Sequence, residues 1–173
     1  FDSKNVAKIL DNFNQVFSAE SAYQMTSMLE GVIKRGTGKK LKNLNLDLAG
    51  KTGTTNKNTD TWFIGFTSKL VIGVYVGMDE PKPLGKHETG AKTAMPVFKD
   101  FVKKAITKKD ARPFKVADNI TMMVVDPLTG KKTSFTSEKT IIEVFKNNKP
   151  SLIDVENIDI NNRFKSNNIL RFY

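Results

Sequence analysis

Apolar residues along the chain follow two periods, 3.6 and 2, and the switches between them predict the order of elements. Ala22, Met25, Leu29, Val32 and Ile33 recur at helical spacing, which predicts a helix over 18–35. Ser18 stands where a hydroxyl caps the first turn, and Gly36-Thr37-Gly38 where a left-handed residue ends a helix. A Lys-rich turn follows at Lys39, Lys40 and Lys42. Leu44, Leu46 and Leu48 then alternate with polar residues, the pattern of a half-buried strand running into Ala49-Gly50. Segments 61–66 and 70–78 are rich in β-branched and aromatic residues and read as strands, with Thr67-Ser68-Lys69 as the hairpin turn between them. Residues 80–93 hold two Pro, two Gly and the single His of the chain, and read as a long loop. Around Pro96, the positions Val97, Phe98, Phe101, Val102, Ala105 and Ile106 mark an amphipathic helix.

Ala111-Arg112-Pro113 reads as a boundary, dividing the chain into 1–112 and an appendage at 113–173. Within the appendage, 120–125 and 140–145 are strand-like, and Asp126-Pro127-Leu128-Thr129-Gly130 is a strong turn. From Pro150 the chain is Asn-rich with weak periodicity, as a loose tail or one ordered on docking would be. The appendage either packs on the preceding domain or recruits a partner, and its residues do not choose between the two. The element order gives an α+β fold, an antiparallel sheet flanked by helices, with a small β-rich C-terminal addition.

Composition narrows the classes. With 39% hydrophobic and 27% charged residues in 173, the chain can bury a core and is neither disordered nor fibrous. No apolar run reaches the roughly 20 residues of a membrane helix. The absence of Cys excludes disulfides, thiolate chemistry and Cys-ligated zinc. A first residue of Phe rather than Met is expected of a processed chain or a portion of a longer one. The net charge of +10 raises the question of anionic partners, and residues 99–115 carry half of it. Lys outnumbers Arg by 24 to 4, however, and nucleic-acid readers favour the bidentate Arg. The charge therefore reads as a solvated surface, and no nucleic-acid partner is expected.

The chemically loaded segment is Ala49-Gly50-Lys51-Thr52-Gly53-Thr54-Thr55. Gly50-Lys51-Thr52 suggests a phosphate loop, but that motif needs Gly at position 45, where Asn stands. It must also open a helix, and Gly53-Thr54-Thr55-Asn56 is poor helix material. As a strand edge, the segment offers an ammonium, hydroxyls and approachable main chain to a carbonyl-bearing or anionic ligand held by strand addition. Lys51 and Gly53 would share one face, and Thr52 and Thr54 the other. Taken alone, the triplet favours a polar strand end beside a turn.

Its surroundings shift that balance. Lys-Thr-Gly is one of three motifs of β-lactamases and penicillin-binding proteins. The stretch 21–38 (SAYQMTSMLEGVIKRGTG), the segment 49–56 (AGKTGTTN), 60–67 (DTWFIGFT), 74–79 (VYVGMD), Thr89-Gly90 and 96–101 extend the likeness. Over roughly 18–106 the chain resembles the C-terminal part of the transpeptidase domain of bifunctional class A penicillin-binding proteins, most of all the 1A type. The resemblance implies a D,D-transpeptidase that cross-links peptidoglycan stem peptides and is acylated by β-lactam antibiotics. It implies no cofactor and no metal. Lys51 and Thr54 would be the catalytic residues, with Thr52, Gly53, Thr54 and Thr55 binding substrate. Lys51 would supply positive potential and help move protons. The hydroxyls of Thr52 and Thr54 would hold the substrate carboxylate, and the Thr54 N–H would form half of an oxyanion hole.

No Ser-x-x-Lys occurs in the sequence, and Ser3-Lys4-Asn5, which matches Ser-x-Asn in letters, lies too near Lys51 for the family's spacing. The family tends to have Pro at Ser68 and a second Gly at Ala91, changes that touch none of this chemistry. The resemblance therefore implies a missing upstream portion with the nucleophile, a glycosyltransferase domain and a membrane anchor. It places the protein at the extracytoplasmic (periplasmic) face of the bacterial inner membrane and leaves this portion inactive alone. His87, in a loop without an elbow motif or carboxylate cluster, reads as a surface residue. Asp60 reads as a brace for the turn from Asn56, Trp62 as core, and Met122-Met123 as packing. The competing class is a basic, non-catalytic module whose grip on a polyanion would depend on Lys103, Lys104, Lys108 and Lys109.

Overall fold

The computed structural model describes residues 14–107, 109–134 and 139–147. The Asn-rich tail, Ser3-Lys4-Asn5 and Lys108 lie outside the described residues. Helix α1 (Ala19–Lys34) is capped by Ser18, whose hydroxyl accepts from the Ser21 N–H at 3.3 Å. Glu20 in the first turn and Lys34 in the last complement the helix dipole. The Glu20 carboxyl is held below its ordinary range, first by a backbone hydrogen bond and then by Ser18. The helix does not end on a left-handed glycine as its sequence suggests. The N–H groups of Arg35 and Gly36 close onto Gly31 O at 2.9 and 3.1 Å, and Gly38 N–H reaches Val32 O at 3.0 Å with φ −88°. The left-handed residue comes later, at Asn45 (φ 57°).

The leucine alternation also resolves differently from the expected strand. A 3-10 helix (Lys39–Leu44) replaces the turn, and the strand starts only at Ala49. Leu41 and Leu48 are buried, and Leu44 and Leu46 pack against the same core. The pattern records shared burial along a winding segment rather than a pleated ladder.

Three strands, β1 (Ala49–Thr54), β2 (Thr61–Phe66) and β3 (Val71–Val76), form an antiparallel sheet in the order β1-β2-β3. The hairpin loop is closed by Thr67 N–H to Leu70 O, while the Thr67 hydroxyl accepts from the N–H groups of Lys69 and Leu70. Along β2 the side chains alternate strictly: Thr61, Phe63 and Gly65 are buried, Trp62 and Ile64 exposed. Helix α2 (Ala94–Ala105) lies on the buried face, with the Phe63 and Phe98 rings 4.7 Å apart. A β-carbon on Gly65 would stand 2.6 Å from Phe98 Cζ, so the close seating of α2 requires glycine there. The core line of α2 is Ala94, Met95, Phe98 and Val102. Val97 and Phe101, expected on that line, are 54% and 47% exposed. They sit about 100° and 60° round the helix from Phe98, beyond the strip that the sheet covers.

Strands β4 (Ile120–Val125) and β5 (Ile141–Lys146) form a separate antiparallel pair. The Asp126 turn is as predicted, its carboxylate accepting from the N–H groups of Leu128 and Thr129 at 2.7 and 3.1 Å. This pair rests on α1 through polar contacts: Gln24 Nε2 to Val144 O at 3.1 Å, Arg35 to Glu143 at 2.7 Å, and Lys146 to Ser21. Met122 is 49% exposed rather than packed. No helix among the described residues is long and apolar enough to cross a membrane.

Candidate active site

The hydrogen-bond ladder decides which main-chain groups β1 offers. Thr55 N–H donates to Asp60 O at 3.0 Å, continuing the register that pairs Thr54 with Thr61 and Gly53 with Trp62. Antiparallel pairs alternate between bonded and non-bonded, so the main chains of Lys51, Gly53 and Thr55 turn toward β2. The N–H and C=O groups of Thr52 and Thr54 then point the other way. Among the described residues β1 has a strand neighbour on one side only, so these groups line an open edge. Lys51, on the exposed side, curls back so that its Nζ donates to Thr52 O at 2.9 Å.

Side chains alternate as period two requires. Lys51 and Gly53 share the outer face with Ile64 and Trp62, and Thr52 and Thr54 share the inner face with Phe63 and Thr61. Each inner hydroxyl meets a group from outside the sheet. Thr52 Oγ1 lies 3.1 Å from Thr37 Oγ1, in the turn after α1. Thr54 Oγ1 accepts from the Gly90 N–H at 3.0 Å. Gly90 is pressed so closely onto β1 and β2 that a β-carbon there would stand 2.4 Å from Trp62 O and 2.6 Å from Gly53 O. The loop carrying it is anchored by Leu84 N–H to Asn58 O at 2.9 Å, and Gly90 O receives Met95 N–H at 2.8 Å in the first turn of α2.

The far end of β1 is braced as Asp60 suggests from sequence. Its carboxylate accepts from the Tyr75 hydroxyl at 2.7 Å and the Thr59 hydroxyl at 2.8 Å, while its N–H donates to Thr55 Oγ1 at 2.9 Å. The Tyr75 hydrogen bond, then that of Thr59, holds the Asp60 carboxyl below its usual range, and the same bond pushes the Tyr75 hydroxyl up. The Thr55 hydroxyl is thus engaged by the turn. Trp62 is not core: it is 42% exposed and packs on Tyr75 with ring centroids 4.7 Å apart. Its register puts it on the outer face of the sheet, opposite Phe63. His87 is exposed in its loop at φ 67°. Lys103, Lys104 and Lys109 are also exposed.

An ammonium, two oriented hydroxyls and outward main-chain N–H groups therefore meet on one short strand. A family model described as the penicillin binding protein transpeptidase domain matches residues 10–103. The chain belongs to this transpeptidase family. Penicillin-binding protein 1A of Rickettsia conorii is 46% identical over 144 residues, 83% of this chain and 18% of that protein. Its counterpart from Pseudomonas aeruginosa is 40% identical over 134 residues, covering 77% of this chain and 16% of that one. The crystal structure of Penicillin-Binding Protein 1A from Haemophilus influenzae superposes with a TM-score of 0.68 at 33% identity, over 77% of this chain and 21% of that chain. The chain thus spans about a fifth of the length of these relatives. The likeness confirms the α+β, antiparallel architecture expected from sequence.

The structure brings Lys51, Thr52, Gly53 and Thr54 together along one edge and sets Thr55 at the turn. It adds Thr37, Tyr75 and the Gly90 N–H to the surroundings of that edge. In the sequence, Thr37 stands in a helix stop and Gly90 in a loop; both fall in stretches that carry the resemblance, but neither shows its partner. Their hydrogen bonds span 15 and 36 residues, which no local periodicity can signal.

Proposed function

We propose that the chain supplies the Lys-Thr-Gly wall of a serine-type D,D-transpeptidase that cross-links peptidoglycan stem peptides. The observation that carries this reading is the open edge of β1, where Lys51, the hydroxyls of Thr52 and Thr54, and the outward Thr54 N–H converge. A serine from the portion of a longer protein upstream of this chain attacks the carbonyl between the two terminal D-Ala residues of a stem peptide. The terminal D-Ala leaves with a proton and an acyl ester forms; an amine of a second stem peptide then displaces the serine. In a β-lactam the ring amide is opened instead, and its nitrogen stays tethered to the acyl group.

In this reading Lys51 supplies positive potential beside the nucleophile and helps move the proton. Thr52 and Thr54 hold the substrate carboxylate, and Gly53 lets the substrate main chain approach. Thr55 closes the end of the strand. The Thr54 N–H is one donor of the oxyanion hole, a contribution of about 3–4 kcal/mol where such a donor has been removed. Residues 1–112 belong to the transpeptidase domain and 113–173 form the appendage, a division supported by the family match ending at residue 103. The work of cross-linking places the parent at the extracytoplasmic face of the bacterial inner membrane, tethered by an anchor outside this chain.

The test is covalent capture by a fluorescent penicillin. The full-length protein is expected to be labelled, Lys51→Ala to be labelled at least about 100-fold more slowly, and the 173-residue chain alone not at all. A full-length protein that stays unlabelled overturns the reading.

A further inference from the structure

The hydroxyls of Thr52 and Thr54 face the same side of β1, about 7 Å apart along the strand. A hydroxyl has one proton to give and two lone pairs to receive. At Thr54 the direction is settled, because the Gly90 N–H can only donate, so Thr54 Oγ1 accepts it and keeps its own proton for another partner. At Thr52 the partner is the Thr37 hydroxyl at 3.1 Å, and either oxygen can donate. An ionised carboxylate only accepts. When one binds at Thr52, the Thr52 proton must turn to it, and the bond to Thr37 survives only if Thr37 is the donor.

We propose that Thr37 is a positioning residue for the anion subsite of β1: its hydroxyl donates to Thr52 Oγ1, so that Thr52 presents its own proton to a carboxylate, as Thr54 does beneath Gly90. A chain of donors from Thr37 through Thr52 to the anion strengthens each link, since each hydrogen bond polarises the next. The two arms differ in origin, one a side chain after α1 and the other a backbone amide before α2. Only the first can be altered without disturbing backbone packing. Thr37 is exposed, so its substitution leaves the core untouched.

This inference rests on the reading of Thr52 as a carboxylate-binding residue, and the variants separate the two. In the full-length protein, acylation by a fluorescent penicillin bearing a free carboxylate is followed against concentration, giving an apparent Kd and a limiting rate. Thr37→Val is expected to raise the apparent Kd about three- to tenfold, the scale of one neutral hydrogen bond, with the limiting rate within about twofold. Thr37→Ser, which restores the hydroxyl, is expected to recover wild-type binding. Thr52→Val is expected to weaken binding at least as much, and adding Thr37→Val to it to cost nothing further. Wild-type binding by Thr37→Val alongside impaired Thr52→Val overturns the inference and leaves the subsite standing. Additive losses in the double variant, or failure of Thr37→Ser to recover, also overturn it. Wild-type binding by Thr52→Val overturns the subsite reading itself.

Discussion

β2 runs between two partner strands with Phe63 fully buried against Phe98, whereas among the described residues β4 and β5 pair as strands only with each other and bury Val125 alone of their side chains. Both regions touch α1. The sheet does so through the core of Ile33, Leu41 and Leu48, the hairpin through Gln24, Arg35 and Ser21. A two-stranded ribbon is marginal in water without an apolar face to bury. The difference separates rigidity from attachment: the sheet that carries the candidate chemistry is seated on an apolar core, and the β4–β5 hairpin meets α1 through hydrogen bonds and an ion pair.

Three substitutions would sharpen or break that contrast. Phe98→Ala removes the ring that fills the space beside Phe63 and Gly65, and is expected to cost about 3–5 kcal/mol by chemical denaturation. A loss below 1 kcal/mol would mean that the sheet is not held by this core. Arg35→Ala breaks the 2.7 Å pair with Glu143, both side chains being partly exposed. It should cost at most about 1 kcal/mol and loosen amide-exchange protection in β5 while leaving β2 unchanged. Equal loosening of both would erase the distinction.

The third, Tyr75→Phe, tests the brace of the sheet in acid. The Asp60 carboxyl is depressed first by the Tyr75 hydroxyl, so its contribution is present above the ordinary carboxylate pKa and fades as pH falls through the lower folded value. Without that hydroxyl, the NMR titration midpoint of Asp60 is expected to move up toward the ordinary value and the acid dependence of stability to flatten. An unmoved midpoint would assign the depression to Thr59 or Thr55 instead.

Local chemistry made several elements legible. The bounds of β2 and β4 follow from β-branched runs, the α1 start from Ser18, and the Asp126 turn from its Asx geometry. Periodicity tells which residues share a face but not whether anything covers that face. Trp62, Val97, Phe101 and Met122 all keep the spacing of their elements yet stand exposed. The leucines before Ala49 err the other way: Leu48 is buried and Leu44 and Leu46 pack on the same core without a strand to carry them. At the site, the resemblance pointed to Lys51 and its neighbours, and alternation placed Thr52 and Thr54 on one face. The groups that orient their hydroxyls come from distant loops, and only tertiary structure brings them in.

The open edge of β1 has one more consequence. A row of outward N–H and C=O groups that can pair with an extended peptide can equally receive the β1 of another molecule. Gly53 offers no side chain to obstruct such a pairing, and Lys51, drawn in to the Thr52 carbonyl, is the main charge that opposes it. Self-association is thus the shadow of recognition on this strand, and an occupant of the edge would block both at once.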